Sequence, residues 1–143
     1  MKYSVLFILM LITSYSAYAQ SEFTTFEVIK QNAEEADQPI MLVFSGSDWC
    51  KPCIKLKKTI LDTPEFQEYS QNLKFIYLDF PYRKKLHQEE TKRNELLAEK
   101  FNKNGAFPKV IIINHSEDVL GEVAYQKSMS SETFITEVEA IIR

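Results

Sequence analysis

Residues 40–53 read Ile-Met-Leu-Val-Phe-Ser-Gly-Ser-Asp-Trp-Cys-Lys-Pro-Cys. Ile40 to Phe44 is an apolar run without alternation, the pattern of a strand buried on both faces. Ser45 to Trp49 is a loop, and beyond it Leu56, Ile60 and Leu61 mark one face of a helix whose other face carries Lys51, Lys55 and Lys58. A C-x-x-C pair therefore stands where a buried strand hands over to a helix. Unpaired backbone N–H groups and the positive end of the helix dipole favour a thiolate at Cys50 there, and the Lys51 charge acts in the same direction. Cys53 follows about one helical turn later, over Cys50, placed to attack a mixed disulfide formed on it. Cys50 is read as the nucleophile and Cys53 as the resolving thiol. Lys51 and Pro52 between them tune the couple, and Pro52 suits a first-turn position because its missing N–H has no helical partner to lose.

Outward from this stretch the chain reads as one domain with no repeat or low-complexity tract. Upstream, Phe26, Ile29, Ala33 and Ala36 recur at helical spacing behind the cap candidates Thr24 and Thr25, and that helix must stop before Pro39. Downstream, Thr63-Pro64 breaks or kinks the cysteine helix. Phe75 to Phe80 is a second strand, and Pro81 to His87 a charged loop. The helix from Gln88 to Asn102 is polar through its first half, which the pattern directs into solvent, and apolar only at Leu96, Leu97, Ala98 and Phe101. Lys109 to Ile113 is a continuous apolar strand. A turn at Asn114 to Asp118 leads into a strand running through Tyr125, and Phe134, Val138, Ile141 and Ile142 close the chain as an amphipathic helix. Alternating helices and strands followed by a hairpin imply an α/β fold, a mixed central sheet with helices on both faces.

The N-terminus is a separate object. Lys2 supplies a positive end, Val5 to Ile12 is unbroken apolar sequence, and Ala17-Tyr18-Ala19 has the small-x-small pattern of a cleavage site, so residues 1–19 read as a signal peptide and residues 20–143 as the domain. The apolar run falls well short of the roughly 20 residues that span a bilayer, so no stable membrane insertion is expected after cleavage. Export to a periplasm or beyond places the cysteine pair where disulfides form and persist.

Composition narrows the chemistry further. The only glycines are Gly46, Gly105 and Gly121, so neither G-x-G-x-x-G nor a Walker loop can be written, and no nicotinamide or flavin site is visible. Two histidines, His87 and His115, read as solvated loop residues and cannot supply a three-histidine metal site. A formal charge of −3 without a long basic block gives no nucleic-acid footprint. Zinc or copper(I) could use the cysteine pair, but the other soft or borderline ligands are two distant histidines and a few methionines. No metal and no cofactor are assigned.

The junction motif Trp49-Cys50-Lys51-Pro52-Cys53, the strand before it and Phe107-Pro108 ahead of a buried strand together resemble the thioredoxin superfamily. The resemblance is narrower to exported thioredoxin-like proteins and the C-terminal domain of the transmembrane thiol:disulfide interchange protein. A lone C-x-x-C is a weak signal, but at a strand-to-helix junction with a downstream X-Pro it is a strong one. The resemblance implies a thioredoxin fold over almost all of residues 20–143. It implies a cis bond before Pro108 facing the cysteines, a Phe107 backbone that pairs with the substrate chain, and Trp49 beside them. It also implies partners: disulfide-bonded or cysteine-containing exported proteins, and a membrane or soluble dithiol electron donor.

One departure stands out. Many thioredoxins bury an aspartate six residues before the nucleophilic cysteine, with a lysine near it on the next strand; here the positions are Phe44 and Tyr77. No carboxylate is then expected behind Cys53, and Asp48 reads as a solvated loop acid. The sequence therefore predicts an exported thiol-disulfide oxidoreductase that reduces or rearranges protein disulfides. The alternatives are a thioredoxin-fold binding module, working through the helix from Gln88 and the cluster Arg83, Lys84, Lys85, and a copper(I) carrier.

Overall fold

The computed structural model describes residues 25–143, and at its centre every residue of β1 (Ile40–Ser45) is buried. β1 pairs in parallel with β2 (Lys74–Asp79) on one side and antiparallel with β3 (Lys109–Ile113) on the other; β4 (Val119–Val123) lies antiparallel beyond β3. The strand order is β2-β1-β3-β4. This mixed sheet separates two helical layers, as the alternation of elements predicts. The reading of residues 1–19 as a signal peptide lies outside the described residues.

Parity along β1 assigns each side chain to a layer. Met41 and Val43 pack with Leu56 of α2 (Lys51–Leu56), Phe66 of α3 (Pro64–Tyr69) and Phe134 and Val138 of α5 (Ser131–Ile142). Ile40, Leu42 and Phe44 pack instead with Ala33 of α1 (Phe26–Glu35) and with Leu97 and Phe101 of α4 (Gln88–Phe101). Fully burying each such side chain contributes about 1.5–3 kcal/mol, so an apolar run without alternation is what a strand between two helical layers requires.

The predicted break at Thr63-Pro64 is present in a specific form. α2 runs on into a π-helical turn, Lys57–Leu61, and the Thr63 hydroxyl then caps a new helix by accepting from the Phe66 N–H at 3.3 Å. Two expectations need correction. The final strand stops at Val123, because the Tyr125 N–H turns back to the Val123 carbonyl at 2.9 Å and leaves the ladder. The first half of α4 is not wholly in solvent either: Asn94 is 1% exposed and donates its side-chain amide to the Asp79 carbonyl at 2.8 Å, while Leu96, expected in the core, is 57% exposed. A single buried asparagine carries no apolar signal, so periodicity alone rotates the face wrongly.

Candidate active site

The loop between β1 and α2 is held from both sides. The Gly46 carbonyl accepts from the Cys50 N–H at 3.0 Å, and a Cβ at position 46 would lie 2.3 Å from Cε2 of Trp49, so only glycine lets the indole lie over this turn. Buried Asp79, at the last position of β2, accepts from the Ser47 N–H at 2.9 Å and the Ser47 hydroxyl at 2.6 Å, with Lys84 Nζ 3.4 Å from the same carboxylate. Asp48 accepts from the N–H groups of Tyr82 at 2.9 Å and Arg83 at 2.7 Å. The expectation of a merely solvated Asp48 is thus corrected: it clamps the 80–87 loop to the cysteine loop. The Tyr82 N–H above all holds its carboxyl below the usual range, against a smaller opposing effect of desolvation.

Cys50 is the N-cap residue of α2, in extended conformation, and its Sγ accepts from the Cys53 N–H at 3.3 Å. The two cysteines are joined by a disulfide with a Cα–Cα separation of 5.2 Å, and they are 5% and 1% exposed respectively. Lys51 is exposed on the first turn and Pro52 half-buried behind it. Hence the sulfur expected to be the nucleophile sits where the helix presents an orphan donor, and its partner lies deeper, one turn along.

The Phe107–Pro108 bond is cis. The Phe107 ring meets Trp49 edge-on, centroids 5.4 Å apart, and Phe80 at 5.5 Å; Trp49 also meets Tyr82 at 6.0 Å. The residues singled out in sequence, Trp49, Cys50, Lys51, Pro52, Cys53, Phe107 and Pro108, therefore belong to one neighbourhood built on the end of β1, the start of α2 and the start of β3. Arg83, Lys84 and Lys85, proposed as a separate binding surface, lie in the loop that Asp48 anchors to that neighbourhood. Among the described residues, no group of three or more His, Cys, Asp or Glu side chains could hold a metal, and no helix is long and apolar enough to cross a membrane.

The departure at Phe44 has a clear geometry. Phe44 is fully buried in the layer shared with α1 and α4 and stacks with Phe80 at 6.4 Å. Ser45 and Tyr77 belong to the opposite parity, and their hydroxyls are 2.6 Å apart. Burial above all raises the Tyr77 phenol above its ordinary value, with Asp79 adding to that effect and the Ser45 hydrogen bond opposing it. Sequence reasoning missed Asp79, Asn94 and the aromatic contribution of Phe80 and Tyr82. An acid ending a buried strand at its C-terminal edge, where α/β sites gather, was the available signal for Asp79.

Fold and site together define the class: a thioredoxin fold with a vicinal dithiol/disulfide pair at a helix start carries the equipment of a thiol-disulfide oxidoreductase. Residues 20–114 match the family model described as thioredoxin-like, and the chain belongs to that family. It is 39% identical over 88 residues to the thioredoxin-related protein DsbJ of Chlamydia pneumoniae, a match covering 61% of this chain and 25% of that protein. The chain thus spans about a quarter of that relative's length. To the disulfide bond reductase DsbH of the same organism it is 24% identical over 128 residues, covering 89% of this chain and 76% of the relative. Among solved structures it is similar to a DsbH oxidoreductase, with a TM-score of 0.76 at 24% identity, covering 82% of this chain and 81% of that one.

Proposed function

We propose that residues 20–143 form an exported thiol-disulfide oxidoreductase, periplasmic or secreted, that reduces or rearranges disulfides in other proteins. The observation that carries the proposal is the Cys50 sulfur at the head of α2, accepting the Cys53 N–H at 3.3 Å while bonded to the Cys53 sulfur. In the reduced protein the Cys50 thiolate attacks a substrate disulfide, forming a mixed disulfide and expelling one substrate thiolate. The Cys53 thiolate then attacks Cys50 Sγ, the second substrate thiol leaves, and the Cys50–Cys53 disulfide remains. Two electrons have passed to the substrate, so a second dithiol protein, membrane-bound or soluble, must return them. Trp49, Phe107 and Pro108 flank the exchanging sulfurs and receive the substrate chain.

Export is supported by Lys2, the run Val5 to Ile12 and Ala17-Tyr18-Ala19, after which the family match begins at residue 20. The name of the relative DsbH supports the reducing direction. The test is reduction of insulin by the protein with dithiothreitol as donor. Turnover that disappears in Cys50→Ala supports the proposal; a rate equal to that of dithiothreitol alone overturns it. Copper(I) bound by the reduced protein in the absence of any exchange activity would favour the carrier instead.

A further inference from the structure

A cavity of about 600 Å³ opens between the 80–87 loop and the first turns of α4. Trp49 and Phe107 form the wall it shares with the cysteine neighbourhood, and Phe80, Tyr82 and Leu86 complete its apolar lining. Its walls are fixed by hydrogen bonds that lead back to the active-site loop. Asp48 holds the N–H groups of Tyr82 and Arg83, Trp49 Nε1 donates to the Phe80 carbonyl at 2.7 Å, and Asn94 ties α4 to the Asp79 carbonyl. A pocket built in this way is formed before anything enters it. Tyr82 is 83% exposed, its ring meeting that of Trp49 edge-on at 6.0 Å.

Charge gives the cavity a direction. The chain as a whole is acidic, with a formal charge of −3, yet the rim on the 80–87 loop carries Lys84 and Lys85 next to Arg83. Lys84 is shared with Asp79, whereas Lys85 has no ion pair among the described residues. Glu95 lies on the α4 side, so the positive rim is confined to the loop side.

We infer that this cavity is a side-chain subsite for the polypeptide whose disulfide is exchanged, taking a large apolar residue near the substrate cysteine, with an acidic residue beside it set against Lys85. This assignment rests on the proposed oxidoreductase function and adds a substrate class to it: acidic, locally hydrophobic segments around accessible disulfides. A chain held at Phe107 advances about 3.3 Å per extended residue, so a side chain within a few residues of the substrate cysteine reaches Tyr82 and Leu86.

The experiment compares three short cystine peptides that differ only beside the cysteine: Phe-Glu, Ser-Glu and Phe-Lys. The Phe-Glu peptide is expected to have a KM about tenfold lower than either other peptide at similar kcat. Leu86→Ser and, separately, the surface substitution Tyr82→Ala should shrink the Phe-Glu to Ser-Glu ratio towards one, and Lys85→Glu should shrink or reverse the Phe-Glu to Phe-Lys ratio. Ratios taken within one variant are insensitive to a general loss of folded protein. A cysteine-free Phe-Glu peptide, with serine for cysteine, gives a reading independent of exchange: it should shift the emission of Trp49, the one tryptophan of the chain, saturably in the parent and not in Tyr82→Ala. Equal KM values for the three peptides, or ratios unmoved by all the variants, overturn the subsite while leaving the oxidoreductase intact. Peptide binding without turnover of any peptide or of hydroxyethyl disulfide overturns the oxidoreductase, and with it the subsite's part in exchange, leaving a peptide-binding cavity only.

Discussion

The indole Nε1 of Trp49 donates to the main-chain oxygen of Phe80 at 2.7 Å, joining the residue before Cys50 to the loop that follows β2. The ring reaches that carbonyl only because position 46 has no Cβ.

Gly46→Ala should expel the indole from its place over the turn. The intruding methyl would meet the middle of a rigid ring at 2.3 Å, and relieving that overlap should cost about 1–3 kcal/mol in stability. The emission of Trp49 should move to longer wavelength and kcat/KM for a protein disulfide should fall about tenfold, equivalent to roughly 1.4 kcal/mol of barrier. Trp49→Phe keeps the ring contacts with Phe107 but loses the donor, so it should show a smaller loss. An unshifted spectrum in Gly46→Ala would show that the turn accommodates the methyl in another way.

If the helix-capping sulfur is the attacking one, as proposed, Cys53→Ala should accumulate mixed disulfides on Cys50 and Cys50→Ala should trap none. In the reduced protein, Cys50 should also be alkylated at lower pH than Cys53. Recovery of the same partners from both single variants, identified by mass spectrometry, would mean that the roles are misassigned.

The placement of the two cysteines was legible in sequence because it depends on local order: a buried strand, a short loop, a helix start and a three-residue spacing. The helical layers on both faces of the sheet were legible for the same reason. The tertiary polar ties were not. Asp79 meets Ser47 and Asn94 meets the Asp79 carbonyl across 32 and 15 residues of chain, and no periodicity registers such pairs. Asp48 was visible as an acid in a loop, but its partners are backbone N–H groups, which every residue other than proline possesses and which therefore leave no mark in sequence.

Asp79→Ala should loosen the cysteine loop. It removes the acceptor for both the N–H and the hydroxyl of Ser47, and leaving a partly buried donor unsatisfied costs about 1–3 kcal/mol. Asp79→Asn retains one carbonyl acceptor and should lose less. Thermal unfolding measures the difference, and amide exchange at Ser47 should be faster in Asp79→Ala. Unaltered Ser47 protection would place the hold on this loop elsewhere.

Glu117 stands in the left-handed region, φ 67°, and bonds both Lys100 of α4 and Lys30 of α1, so it links the two helices over one face of the sheet. The Lys100 bond first and the Lys30 bond second depress its carboxyl below the ordinary value, while the same contact raises Lys30. A depressed acid contributes stability that is present above its unfolded pKa and lost as pH falls through the folded one. The raised lysine contributes stability present below its unfolded pKa and lost as pH rises through the folded one. The parent should therefore exceed Glu117→Gln by about 1 kcal/mol near neutrality, and the gap should close below the normal glutamate range and again at strongly alkaline pH. Denaturant midpoints across pH measure it; a gap independent of pH would show that the ion pairs contribute nothing.

Resolution of the Cys50 mixed disulfide should follow the ionisation of Cys53 alone. Asp48 is a poor base because two backbone N–H groups stabilise its anion, and Tyr77 cannot accept a proton near neutrality because burial keeps its phenol protonated. Asp48→Asn should leave the shape of the pH–rate profile unchanged, even if a looser 80–87 loop alters its height. Tyr77→Phe should cost about 1 kcal/mol through the lost Ser45 hydrogen bond and likewise leave the profile in place. Restoring an acid by Phe44→Asp should not speed the step, since position 44 faces Leu97 and Phe101 in the layer away from α2. That variant should instead lose at least about 3 kcal/mol, from the lost aromatic packing and an acid buried without a cation. Stopped-flow resolution rates between pH 5 and 9 decide the matter: a new ionisation in Phe44→Asp, or one removed in Asp48→Asn, would identify a carboxylate that takes the Cys53 proton.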